Sequence, residues 1–86
     1  MNLKQMEYFV AAAEQLNFTR AAKKCFISQT AMTLQIQSLE EKIGVPLFVR
    51  DKHHVELTAA GKVYLNEARA ILVRAERSSR GRQRKA

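Results

Sequence analysis

Four side chains that hydrogen-bond without carrying charge, Gln29, Thr30, Thr33 and Gln35, fall within a window of seven residues. An amide offers donors and an acceptor in one plane, and a hydroxyl can act as either. Such groups bind rather than react. Covalent chemistry would need a nucleophile, a base and an orienting partner, and no such set can be assembled from this chain. It also has no CxxC, no HExxH and no glycine-rich phosphate loop. Amides and hydroxyls in this arrangement match the donor and acceptor edges of base pairs in a DNA major groove. The charged residues Glu40, Glu41 and Lys42, read as solubilising, come only later.

The stretch that carries these groups reads as a helix from Ser28 to Ile43. Met32, Ile36, Leu39 and Ile43 recur at steps of four, three and four and share one face. Gln29, Thr30, Thr33, Gln37 and Glu40 are placed away from that face. Ser28 is a good N-cap, Gly44 suits the position after the last turn, and Pro46 blocks continuation.

The rest of the chain supplies its support. Residues 3–16 read as a first helix with Asn2 as N-cap and Leu3, Met6, Phe9, Val10, Ala13 and Leu16 as its apolar stripe. Asn17 breaks it and can cap the next. Residues 18–25 read as a short second helix whose small Ala21 and Ala22 allow close crossing, with Lys23 and Lys24 facing out. A short helix, a tight turn and a longer capped helix form a helix-turn-helix pattern. The same spacing also suits a plain helical bundle. Leu47–Val49 and Val55–Leu57 are short β-prone runs around Arg50, Asp51, Lys52, His53 and His54. Together they read as a hairpin with a cationic tip, or wing. Arg50 and Lys52 would then stand near phosphates, and the alternative is a solvated basic loop. His53 and His54 have no third ligand at a metal spacing, so no metal and no cofactor are expected.

Thr58 is placed to cap a long helix over 59–78. Tyr64, Ala68, Ile71 and Ala75, flanked by Leu65 and Leu72, make a heptad-like seam. So long an apolar face calls for a partner as well as for the first helix. Residues 79–86 lack periodicity and read as a flexible basic tail or hinge.

The 86 residues carry a net charge of +7. From Arg74 onward there are six basic residues and one acid, which leaves +2 for the remainder. Charge therefore describes the tail, and the case for nucleic acid rests on pattern. No apolar run approaches the roughly 20 residues of a membrane span. The single Cys25 cannot form an internal disulfide, which fits a reducing cytoplasm.

MNLKQMEYFVAAAEQLNFTRAAKKC, ISQTAMTLQIQSLEEKIGVPLFVR and LTAAG together resemble the N-terminal domain of LysR-type transcriptional regulators. The most specific pieces are FTRAA at 18–22, SQ-x-A at 28–31, Gln-Ile-x-x-Leu-Glu at 35–40, GVPLFVR at 44–50 and LT-x-AG at 57–61. The resemblance implies a mainly α winged helix-turn-helix over residues 1–58, with three helices and a two-stranded wing. A linker helix over 59–78 would follow and pair antiparallel in a homodimer. The implied partner is double-stranded DNA with a partly palindromic, T-N11-A-like site, in a bacterial, nucleoid-associated setting. The family's C-terminal effector domain is not in this sequence, so no small-molecule effector site is expected in it.

Residue by residue, Gln29 falls at the family's base-contacting glutamine. Thr30 stands where proline is frequent and Thr33 where serine is frequent. Leu34 replaces a usual arginine, so it either touches an apolar edge of DNA or packs on the wing. Thr19, Arg20, Lys23 and Ser28 are placed to reach phosphate. His53 and His54 stand where the wing often has arginine, which implies weaker phosphate attraction at neutral pH. Two rival functions remain: a module that heterodimerises with related regulators through the linker helix, and sequence-blind binding by the tail.

Overall fold

The computed structural model describes residues 2–52 and 54–85, without the side chains of 78–85. The element order is α1 (Leu3–Gln15), α2 (Phe18–Lys24), α3 (Gln29–Ile43), β1 (Phe48–Arg50), β2 (Val55–Leu57) and α4 (Ala59–Lys85). Each helix begins at a side chain that accepts a free backbone N–H of the first turn. Asn2 accepts from Gln5 at 2.7 Å, Asn17 from Arg20 at 2.9 Å, Ser28 from Ala31 at 3.0 Å and Thr58 from Gly61 at 2.9 Å. These four caps are where the sequence placed them.

The core lies where α1, α2 and α3 meet and is closed by the wing and by α4. Phe9 is fully buried at its centre. Its ring lies 5.5 Å from Phe48 and 4.9 Å, edge-on, from Tyr64. Phe18 meets Phe48 edge-on at 5.3 Å. Ala21 and Ala22 are buried, which is the close crossing their size permits. The wing pairs antiparallel, with Phe48 opposite Leu57 and Arg50 opposite Val55.

Several expectations need correction. Leu3 and Leu16 are 47% and 45% exposed, so the stripe of α1 ends inside them. Leu16 is the left-handed cap of α1, with φ 48°. Buried Gln5 takes a place on that stripe instead. Its amide donates to the Gln35 side-chain oxygen at 3.2 Å and to the Gln35 carbonyl at 3.3 Å, which ties α3 to α1. Gln35 is therefore spent on the scaffold. β1 begins at Phe48 and includes Arg50. The helix expected to stop at 78 continues to Lys85. Nothing in the basic stretch breaks it, since Arg, Gln and Lys are good helix formers and one glycine is tolerated.

The expected seam of α4 is also largely turned inward. Ala68 is fully buried in the chain's own core, and Tyr64, Leu65 and Leu72 pack against it. Ala75 is half-buried, while Ile71 is 41% exposed. The first turns of α4 thus dock on the chain's own core along this face. Val63 and Val73, 60% and 45% exposed, lie on the opposite side with Ala70.

Gly61 marks where α4 passes closest to the wing. A Cβ there would fall on the Leu47 carbonyl oxygen and meet Leu57 Cδ2 at 3.0 Å. Gly61→Ala would gain helix propensity elsewhere, yet here it meets backbone that cannot step aside. We expect a net loss of about 1–3 kcal/mol, read as a lower midpoint in urea unfolding.

Candidate nucleic-acid interface

The site is built on the exposed start of α3. Gln29 and Thr30 are exposed, Thr33 is half-buried and Leu34 is 59% exposed. At 100° per residue, Gln29 lies only about 50° from the centre of the Met32–Leu39 stripe, nearer than its expected placement away from that face. It reaches solvent because the first turn of α3 extends past the core. Thr30 and Leu34 occupy the far side. Leu34 is not among the hydrophobic residues packed against the core.

Gln29 and Thr33 face a groove of about 350 Å³. Its other wall is the wing, with Arg50, Asp51, Lys52, His54 and Val55, and its end is Leu16, Asn17 and Phe18. The structure thus gathers two expected base readers and three expected wing residues around one opening. The turn of the wing is closed by the Asp51 N–H donating to the His54 carbonyl at 3.0 Å. His54 Nε2 lies 3.8 Å from an oxygen of Glu56 in an exposed contact. His53 lies outside the described residues. Thr19, Arg20 and Lys23 are exposed on α2, beside the same end of α3. The Ser28 hydroxyl oxygen is occupied as a cap, while its own hydrogen stays available to donate.

Arg50 is more constrained than a free wing cation. Its guanidinium sits 4.9 Å above the Phe18 ring and 3.4 Å from Glu40. Stacking on Phe18 fixes its direction, and Glu40 offsets part of its charge.

Glu40 itself is the residue the sequence misread. Its place before Glu41 and Lys42 suggests a solubilising charge, yet it accepts from the Leu47 N–H at 2.7 Å and from the Phe48 N–H at 3.2 Å. It pins the first strand of the wing to the reading helix. Glu40 and Gln35 each stand about 70° from the centre of the apolar stripe, on opposite sides. That flanking position is the one signal that could have suggested contacts to neighbouring elements. Thr58 adds a second clasp, its hydroxyl donating to the Pro46 carbonyl at 2.8 Å.

Burial, and then the charge of Glu7, push the Cys25 thiol up, with Lys4 opposing them, so it is a poor nucleophile at neutral pH. Among the described residues no three His, Cys, Asp or Glu side chains stand together. No helix among them is long and apolar enough to cross a membrane.

Residues 3–62 match the family model described as bacterial regulatory helix-turn-helix protein, lysR family. The Hca operon transcriptional activator HcaR of Escherichia coli (strain K12) is 55% identical over 76 residues, covering 88% of this chain and 26% of that protein. The regulator TfdT of Cupriavidus pinatubonensis (strain JMP 134 / LMG 1197) is 52% identical over 83 residues, covering 96% of this chain and 36% of that protein. The chain thus spans about a quarter to a third of the length of these relatives. Among solved structures, the CbnR DNA-binding domain in complex with DNA superposes with a TM-score of 0.92 at 44% identity, covering 100% of both chains. The BenM DNA-binding domain with catB site 1 DNA gives 0.94 at 34% identity, covering 98% of this chain and 93% of that one. With this winged helix-turn-helix and these relatives, the chain belongs to the LysR family of bacterial regulatory helix-turn-helix proteins.

Proposed function

We propose that this chain is the sequence-reading head of a transcriptional regulator and binds double-stranded DNA as one half of a homodimer. The observation that carries this is the shared groove, where Gln29 and Thr33 on α3 face Arg50, Lys52 and His54 on the wing. A helix with exposed amide and hydroxyl groups fits the major groove, while a cationic wing fits the flanking backbone. Thr19, Arg20, Lys23 and Ser28 supply further phosphate donors at the same end. Similar domains, those of CbnR and BenM, have been crystallised on DNA, which supports the reading. The dimer is assigned to α4. Its docked side leaves Val63, Ala70 and Val73 uncovered, and Ile71 and Ala75 border the head. A second copy placed there would pair two reading heads on a partly palindromic site of the T-N11-A kind.

Gln29→Ala is the direct test. Loss of one bidentate base contact is expected to weaken binding to the specific duplex by about ten- to a hundredfold, with little change on scrambled DNA. Equal weakening on both duplexes would remove Gln29 from base reading. Leu34→Arg is expected to alter the preferred base pair opposite its position, read by competition among single-base variants of the site. An unchanged preference and affinity would mean that Leu34 does not touch the groove.

A further inference from the structure

Phe26 stands apart from the groove residues. It lies in the turn between α2 and α3 and is 95% exposed. Its backbone is left-handed, with φ 59°. The Ile27 N–H donates to the Ala22 carbonyl at 3.0 Å and the Phe26 N–H to the Lys23 carbonyl at 3.2 Å. These are the two bonds of a Schellman cap, with Phe26 in the place that glycine usually takes. A bulky residue is disfavoured there, because its Cβ crowds the following carbonyl. The ring gains no burial in exchange. Two local disadvantages at one residue point to a use outside the fold.

Position identifies that use. Phe26 comes two residues before the Ser28 cap and three before Gln29, so its Cα is no more than about 11 Å from that of Gln29. Exposed Arg20, Lys23 and Lys24 precede it on α2, a cationic setting suited to a phosphate backbone. Leu34, in the second turn of α3, is also exposed. A duplex seated on Gln29 passes close to this turn. We propose that Phe26 is a DNA-contacting residue whose ring covers an apolar edge of the duplex beside the reading helix, the carbons of a deoxyribose or a thymine methyl. This rests on the reading head proposed above. The rigid left-handed cap serves to present the ring, since both hydrogen bonds of the turn hold its Cα in place.

The test uses Phe26→Gly and Phe26→Tyr beside the unaltered chain and Gln29→Ala, all on one specific duplex. Glycine suits the left-handed cap, so Phe26→Gly is expected to raise the melting temperature by about 4 °C. The same variant is expected to bind DNA about tenfold more weakly, because an aromatic contact is lost. Phe26→Tyr keeps the ring and is expected to bind within about twofold of the unaltered chain. Replacing thymine by uracil in the duplex identifies the edge. A matching loss places the ring on a methyl, and no loss places it on a sugar. If Phe26→Gly binds as tightly as the unaltered chain while Gln29→Ala is weakened, the inference is wrong and the reading head stands. If the unaltered chain shows no preference for the specific duplex, both fall together.

Discussion

Glu40→Ala is expected to destabilise the domain by about 2–4 kcal/mol and to weaken DNA binding beyond what the lost stability explains. The carboxylate accepts from two successive backbone N–H groups, those of Leu47 and Phe48, and neighbours the Arg50 guanidinium. Alanine would leave both N–H groups without their acceptor, at about 1–3 kcal/mol for each that water cannot reach. Leu47 and Phe48 are nearly fully buried, which limits that relief. The variant also releases Arg50 from one of its two anchors, so the wing loses its fixed distance from α3. Glu40→Gln keeps an acceptor oxygen and should retain more than half of the lost stability. Chemical unfolding of the two variants measures this directly. Equal losses in both would mean that the charge, not the acceptor, does the holding.

Phe9→Ala is expected to cost more, about 3–5 kcal/mol. Phe9 is fully buried and joins α1 to the wing through Phe48 and to α4 through Tyr64. A chain of this length is stabilised by about 4–13 kcal/mol in total, so the variant should melt near or below room temperature if its margin is at the low end. Calorimetry would read the change. A loss under about 1 kcal/mol would show that the three elements do not share one cooperative core.

The helices, caps and wing were legible because their determinants are local. Asn2, Asn17, Ser28 and Thr58 cap within three residues of themselves, and Gly44 ends α3 with φ 89°. What periodicity could not show was which partner an apolar face meets. The stripe on α4 calls for a second chain as well as for α1, and within the chain Tyr64 and Ala68 pack in its own core. The uncovered Val63 and Val73 form a second, sparser stripe with Ala70 at steps of seven and three, which the denser Tyr64–Ala75 seam outweighs. Glu40 was misread for a related reason, since its acceptor role depends on a chain reversal at Gly44 and Pro46 that brings Leu47 back alongside. Gln29 and Thr33 were found by residue type. Their common groove with the wing needed the fold, as did the exposure of Phe26.

The most direct test of the whole account is a binding isotherm on a partly palindromic T-N11-A duplex and on a scrambled one, at two salt concentrations, for the chain with and without residues 79–86. A preference for the palindrome that survives removal of the tail is expected, with affinity on both duplexes falling steeply as salt rises. Equal binding to both duplexes that disappears with the tail would contradict it, and would leave α3 as scaffold beneath a cationic end.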